Sequence, residues 1–116
     1  MRVLVVDDDE SIVRALSALL QKDGHDVVGY TNPLNAAQEV GFEVVITDFS
    51  MPSIDGVALL ERLRETNPYA RRYMMTAYEK SSVVNAAEAS GLVEHVFLKP
   101  WRIEDIRSVI GLVRSV

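Results

Sequence analysis

Three carboxylates, one hydroxyl and one ammonium stand at comparable places in this chain. Asp7 and Asp8 follow Val3-Leu4-Val5-Val6, Asp48 follows Val44-Val45-Ile46-Thr47, Thr76 follows Tyr73-Met74-Met75, and Lys99 follows Val96-Phe97-Leu98. Each preceding run is short and apolar, and the first two are mostly β-branched, the pattern of a buried strand. If the first and third runs are neighbours in a parallel sheet, the three acids crowd one crevice with the hydroxyl and the amine. Carboxylates that close repel one another. A hard divalent cation relieves the repulsion, and Mg²⁺ suits a site with few carboxylates and retained waters. Such an ion would also offset the charge of an incoming phosphoryl group.

Taken singly, each residue has a plainer reading. Asp48 opens the loop Phe49-Ser50-Met51-Pro52-Ser53-Ile54-Asp55-Gly56 and is placed as well to cap a turn as to react. Asp7 to Glu10 is the kind of acidic run that a helix N-terminus prefers. Thr76 is an ordinary strand residue and Lys99 an ordinary solvated lysine. Their joint placement favours a common site, since solvated residues have no reason to choose one edge of a sheet. In open α/β sheets that carboxyl edge is where ligands bind.

The elements that must position these groups alternate. A strand at Val3–Val6 precedes a helix carrying Ile12, Val13, Leu16, Leu19 and Leu20 and ended by Lys22-Asp23-Gly24. A weaker strand, Val27–Tyr30, leads to a short helix over Pro33–Val40 with Asn32 as N-cap and Pro33 at its first position. The third strand is Phe42–Thr47, and after the Asp48 loop comes an amphipathic helix over Val57–Arg64, with Asp55 as its cap and a stop near Asn67-Pro68. Tyr73–Thr76 is the fourth strand. A fourth helix of small side chains, Ser81 to Gly91, is weakly anchored, and Val96–Leu98 is the fifth strand. Ile103, Ile106, Val109, Ile110 and Val113 line one face of a last helix. Five β/α alternations predict an α/β fold with a parallel sheet covered on both faces.

With 116 residues the chain fits one domain, residues 1–116, able to bury roughly two-thirds of its unfolded surface. A net charge of -5 argues against direct binding of nucleic acid. The absence of cysteine excludes thiol catalysis and disulfides. No apolar run is long enough for a membrane span and no signal-peptide pattern opens the chain, so a cytoplasmic location without membrane contact is expected. His25 and His95 lack paired ligand partners and read as structural or exposed.

Together, Asp7-Asp8, Asp48-Phe49-Ser50-Met51-Pro52 with Asp55-Gly56, Thr76-Ala77 and Lys99-Pro100 resemble the receiver domain of two-component response regulators, across essentially the whole chain. The chain is similar to the single-domain chemotaxis regulator. The resemblance implies a flavodoxin-like, doubly wound five-stranded parallel sheet of order 2-1-3-4-5 with five helices. It implies that Asp48 accepts a phosphoryl group from the phosphohistidine of a sensor histidine kinase or histidine phosphotransfer protein. Asp8, Asp48 and the Ser50 backbone carbonyl would bind Mg²⁺, with Asp7 acting through water. Lys99 would pair with the phosphoryl oxygens and Thr76 would hydrogen-bond one of them. The surface of helix 4, strand 5 and helix 5 would carry the signal to a downstream effector domain or protein, and helices 4 and 5 are candidates for a homodimer face. The chain would be a phosphoacceptor that catalyses only its own phosphorylation and dephosphorylation, not an enzyme acting on others. Its end, inside or just after the last helix, fits either a complete single-domain regulator or a receiver ahead of an effector.

One position departs from the family pattern. Val96, three residues before Lys99, stands where the family usually has a Tyr or Phe that changes rotamer, and strand alternation points the neighbouring Phe97 to the other face. Trp101 reads as core packing, and Ser50 and Tyr78 occupy the positions at which the family tunes dephosphorylation. Three rivals remain. An aspartate-nucleophile phosphatase or phosphotransferase would want a second acid at Ser50. A phosphorylation-independent binding module would be expected to lose the acids or the lysine. A flavin or nucleotide binder would want a glycine-rich loop where Asp7 to Glu10 stand.

Overall fold

The computed structural model describes residues 1–77 and 81–111. Ten elements alternate: β1 (Arg2–Val6), α1 (Glu10–Lys22), β2 (Asp26–Tyr30), α2 (Pro33–Ala36), β3 (Val44–Asp48), α3 (Gly56–Thr66), β4 (Arg71–Thr76), α4 (Ser82–Ala89), β5 (His95–Leu98) and α5 (Ile103–Ile110). All strand pairs are parallel, in the order β2-β1-β3-β4-β5. The flavodoxin-like α/β fold is thus as expected. β1 and β3 are neighbours, with Val6 opposite Thr47, so the residues that follow them meet at one edge. No helix among the described residues is long and apolar enough to cross a membrane.

Strand alternation divides the core in two. Val3, Val5, Val44, Ile46, Tyr73, Met75 and Phe97 face Leu16 and Leu20 of α1 and Ile106 and Ile110 of α5. Leu4, Val6, Val45, Met74 and Val96 face Ala36 of α2, Leu59, Leu60 and Leu63 of α3, and Val84 and Ala87 of α4. The helices differ in their hold on the sheet. α3 buries three leucines, worth about 2 kcal/mol each, whereas α4 buries only Val84 and Ala87 among its side chains.

The main correction concerns the second helix, expected over Pro33–Val40 but ending at Ala36. Its N-cap is as expected, with Asn32 Oδ1 accepting the Leu34 N–H at 2.9 Å. The next turn is drawn away by a polar clamp. Glu39 accepts from Arg2 at 2.6 Å and from the Tyr30 hydroxyl at 2.7 Å, and Arg2 also holds the Val40 carbonyl at 2.6 Å. Strand limits shift by one or two residues, and Asp48 is the last residue of β3, not the first of the loop. Val113 lies outside the described residues.

Candidate functional site

The acidic run after β1 splits between two tasks. Asp9 is the N-cap of α1, its carboxylate accepting from the backbone N–H and hydroxyl of Ser11, and Glu10 begins the helix. Asp7 and Asp8 are left for the crevice. Asp7 is buried beside the end of β3, and Asp8 is exposed at the mouth.

Asp48 is held by the β3–β4 pairing, opposite Met75, and Phe49 N–H continues the ladder to the Met75 carbonyl at 2.9 Å. Thr76 ends β4 opposite Leu98, and its carbonyl accepts the Lys99 N–H at 2.7 Å. That bond aims Lys99 back over the sheet edge. Its Nζ lies 2.7 Å from Asp7 Oδ2 and 3.1 Å from Asp48 Oδ1. The other oxygen of Asp7 accepts the Asp9 N–H at 2.9 Å. Oxygens of Asp7, Asp8 and Asp48 all lie within 4.8 Å of one another, close enough for one cation to touch all three.

The electrostatics follow from this crowding. Burial pushes the Asp48 carboxyl above its ordinary range, the charge of Asp7 pushes it further and that of Asp8 adds to it, while Lys99 pulls the other way. For Lys99, burial favours the neutral amine, but the hydrogen bonds to Asp7 and Asp48 prevail and hold its pKa above the usual lysine range. Three acids facing one ammonium leave an excess of negative charge. That is the condition under which a hard cation with oxygen ligands binds.

The structure therefore brings Asp7, Asp8, Asp48 and Lys99 together, with the buried Thr76 at the same edge. Ser50 is exposed on the loop two residues beyond Asp48, and Tyr78 lies outside the described residues. Sequence reasoning missed the contributions of Thr47 and Gly56. Thr47 is wholly buried and its hydroxyl donates to the Asp48 carbonyl at 3.0 Å. Gly56 begins α3 with its N–H on the Phe49 carbonyl at 2.7 Å. A hydroxyl inside an otherwise apolar strand, and a glycine where a helix start favours proline or a good helix former, were the available signals.

The model of the response regulator receiver domain matches residues 3–111. This chain belongs to that family. Its receiver domain is 30% identical over 112 residues to the sporulation initiation phosphotransferase F of Bacillus subtilis, covering 94% of this chain and 90% of that protein. It is 34% identical over 113 residues to the transcriptional regulatory protein ZraR of Escherichia coli, covering 93% of this chain but only 25% of ZraR. Among solved structures, the response regulator TrrA of Thermotoga maritima, in complex with Mg²⁺-BeF, superposes with a TM-score of 0.81 at 25% identity, covering 94% of this chain and 95% of that one. Receiver domains are phosphoacceptor modules of two-component signalling, and the Asp7-Asp8-Asp48 group is compatible with Mg²⁺.

Within this receiver domain Val96 packs in the same cluster as Val84 and Ala87, beneath α4, while Phe97 packs on the opposite face, its ring 6.1 Å from that of Tyr73. Phe97 therefore does not replace the aromatic absent at Val96. Trp101 packs against the α1/α5 cluster, as expected of core packing. His25 is buried, with Nε2 donating to the Gly111 carbonyl at 2.8 Å, whereas His95 is exposed with its ring 4.7 Å from that of Phe97.

Proposed function

We propose that this single receiver domain accepts a phosphoryl group on Asp48 from the phosphohistidine of a sensor histidine kinase or histidine phosphotransfer protein, in a cytoplasmic two-component pathway. The contact of Asp48 with Lys99 at 3.1 Å, on an edge shared with Asp7 and Asp8, carries this reading. An Asp48 carboxylate oxygen attacks phosphorus in line, the P–N bond of the phosphohistidine breaks, and the imidazole leaves. Water later attacks the acyl phosphate, releasing inorganic phosphate and restoring the carboxylate. Such transfer is mostly positioning and charge neutralisation.

Lys99 is the cation already in place for the phosphoryl oxygens, and Thr76 supplies a hydroxyl donor at the same edge. Both Asp7 oxygens have donors of their own, Lys99 and the Asp9 N–H, which favours Asp8, Asp48 and the Ser50 carbonyl as direct Mg²⁺ ligands with Asp7 acting through water. When bound, Mg²⁺ neutralises charge on the transferring group. The modified Asp48 carries a charge of roughly -1.5 to -2 and biases the lightly anchored α4. Val83, Leu98 and Ile103, exposed apolar residues of α4, β5 and α5, form the surface that a downstream effector or a second copy would read. With Val96 in place of an aromatic, the shift involves α4 without a ring rotamer change. Nothing in this role requires turnover of another substrate, contact with nucleic acid or a membrane.

Intact-mass spectrometry after incubation with acetyl phosphate and Mg²⁺ tests the assignment. Wild type gains one phosphoryl group and Asp48→Asn gains none. An equal gain in Asp48→Asn removes Asp48 from the role.

A further inference from the structure

The Asp48 peptide is held from two sides by residues that never reach the crevice. The Thr47 hydroxyl donates to the Asp48 carbonyl at 3.0 Å, with Met51 Sδ as a second acceptor 4.0 Å away, so this buried hydroxyl spans the strand end and the loop beyond it. On the other side stands Gly56. A methyl group there would overlap the Asp48 carbonyl oxygen and come within 3.1 Å of both the Phe49 Cα and the Met74 side chain. The Asp48 oxygen and the Phe49 Cα are backbone atoms and cannot swing aside as a side chain can. The glycine is thus a matter of space, and its N–H also ties the helix start to the Phe49 carbonyl at 2.7 Å.

We propose that Thr47 and Gly56 are positioning residues for the phosphoacceptor, fixing the Asp48 peptide and through it both the carboxylate and the following loop. The proposal rests on Asp48 being the phosphoacceptor. Their action is indirect: the Asp48 carbonyl is one bond from the Cα that carries the reacting carboxylate, and Ser50 is two residues further along the same backbone. A side chain at Gly56 moves the Asp48 peptide away from α3 and shifts the carboxylate relative to Lys99. Loss of the Thr47 hydroxyl leaves the carbonyl free to tilt. Misplacement of about 1 Å at a reacting group can cost on the order of 100-fold in rate.

The rate of phosphoryl gain from acetyl phosphate, followed by intact mass across a Mg²⁺ series, separates positioning from general damage. Gly56→Ala is expected to lower the saturating rate by roughly 30- to 100-fold. Thr47→Val, which keeps the shape and loses one hydrogen bond, lowers it by about 3- to 10-fold, and Thr47→Ser restores it. Gly91→Ala is the matched control. That residue has φ +84° with no heavy atom near its missing side chain, so alanine there strains the backbone away from the site. It is expected to lower the melting temperature and leave the rate at saturating Mg²⁺ unchanged. Should Gly56→Ala fail to fold, the Thr47→Val and Thr47→Ser pair decides. Folded Thr47→Val and Gly56→Ala proteins at the wild-type rate overturn the proposal alone, as does Gly91→Ala losing as much rate as either. A wild-type protein that gains no phosphoryl group overturns the Asp48 assignment and this proposal with it.

Discussion

Asp48 and Asp23 are each 7% exposed, yet their carboxyl groups are shifted in opposite directions. Asp23 closes α1 and receives two hydrogen bonds from the Arg107 guanidinium of α5, both 2.8 Å, and this paired donor holds its pKa below the ordinary range against the effect of burial. Asp48 faces two other acids and shares one ammonium with Asp7, so burial and repulsion dominate. Equal surface exposure thus has opposite consequences, because Asp48 lies deeper in the protein and faces like charges, whereas Asp23 has a paired donor. A bidentate pair locks two helices together, whereas an unbalanced cluster stores a preference for more positive charge or for a neutral carboxyl. The first suits a fixed joint and the second a site awaiting a cation and a phosphoryl group.

That contrast can be broken in four ways. The largest effect is expected from Lys99→Met, which removes the ammonium beside Asp48 and should lower the rate of modification by acetyl phosphate roughly 100-fold. A rate within threefold of wild type would mean that Lys99 does not face the transferring group. Next come two identical substitutions of opposite sign. Asp23→Asn should lower the melting temperature at pH 7 by about 4–8 °C, since Arg107 loses its charged partner. The folded pKa of Asp23 is depressed, so the stability it contributes is full above the unfolded value of 3.8 and is lost as pH falls through the folded value. The difference between variant and wild type should therefore close in strong acid.

Asp48→Asn should raise the melting temperature at pH 7 without Mg²⁺ by about 2–5 °C, because it removes a charge that is repelled in the folded state. Here the folded pKa is raised, so the ionised group costs stability above that value and costs nothing once pH falls below the unfolded value of 3.8. The gain should fade over that interval in thermal melts. A lower melting temperature at pH 7 would show that Lys99 outweighs the repulsion. The smallest effect is the binding of Mg²⁺, which should raise the wild-type melting temperature by about 1–3 °C at millimolar concentrations and raise that of Asp48→Asn less. Equal responses would place the ion elsewhere.

Much of the site was legible because strands announce their ends. The apolar runs before Asp7, Asp48, Thr76 and Lys99 required burial, and the polar residue after each marked the carboxyl end of the run. The acidic run after β1 was harder to divide, since Asp9 as a cap and Asp7 as a site residue have the same chemistry and lie two positions apart. The second helix was overextended because Gln38, Glu39 and Val40 suit a helix locally. Distant partners, Arg2 and Tyr30 on two neighbouring strands and Asn67 at the end of α3, hold Glu39 and Val40 out of it. The Asp23–Arg107 joint had no local signal, its partners being 84 residues apart.

The alternation of strand and helix, the single polar edge and the identity of the groups standing on it are properties of sequence alone, because period and punctuation are local. What those groups are to one another belongs to the tertiary structure. Lys99 meets Asp7 across 92 residues of chain, and electrostatic interaction depends on distance through space and on burial. Which aspartate is pushed toward its neutral form, which is locked in an ion pair, and which backbone carbonyl is clamped beside the reacting group were settled only when β1 was laid beside β3 and α1 beside α5.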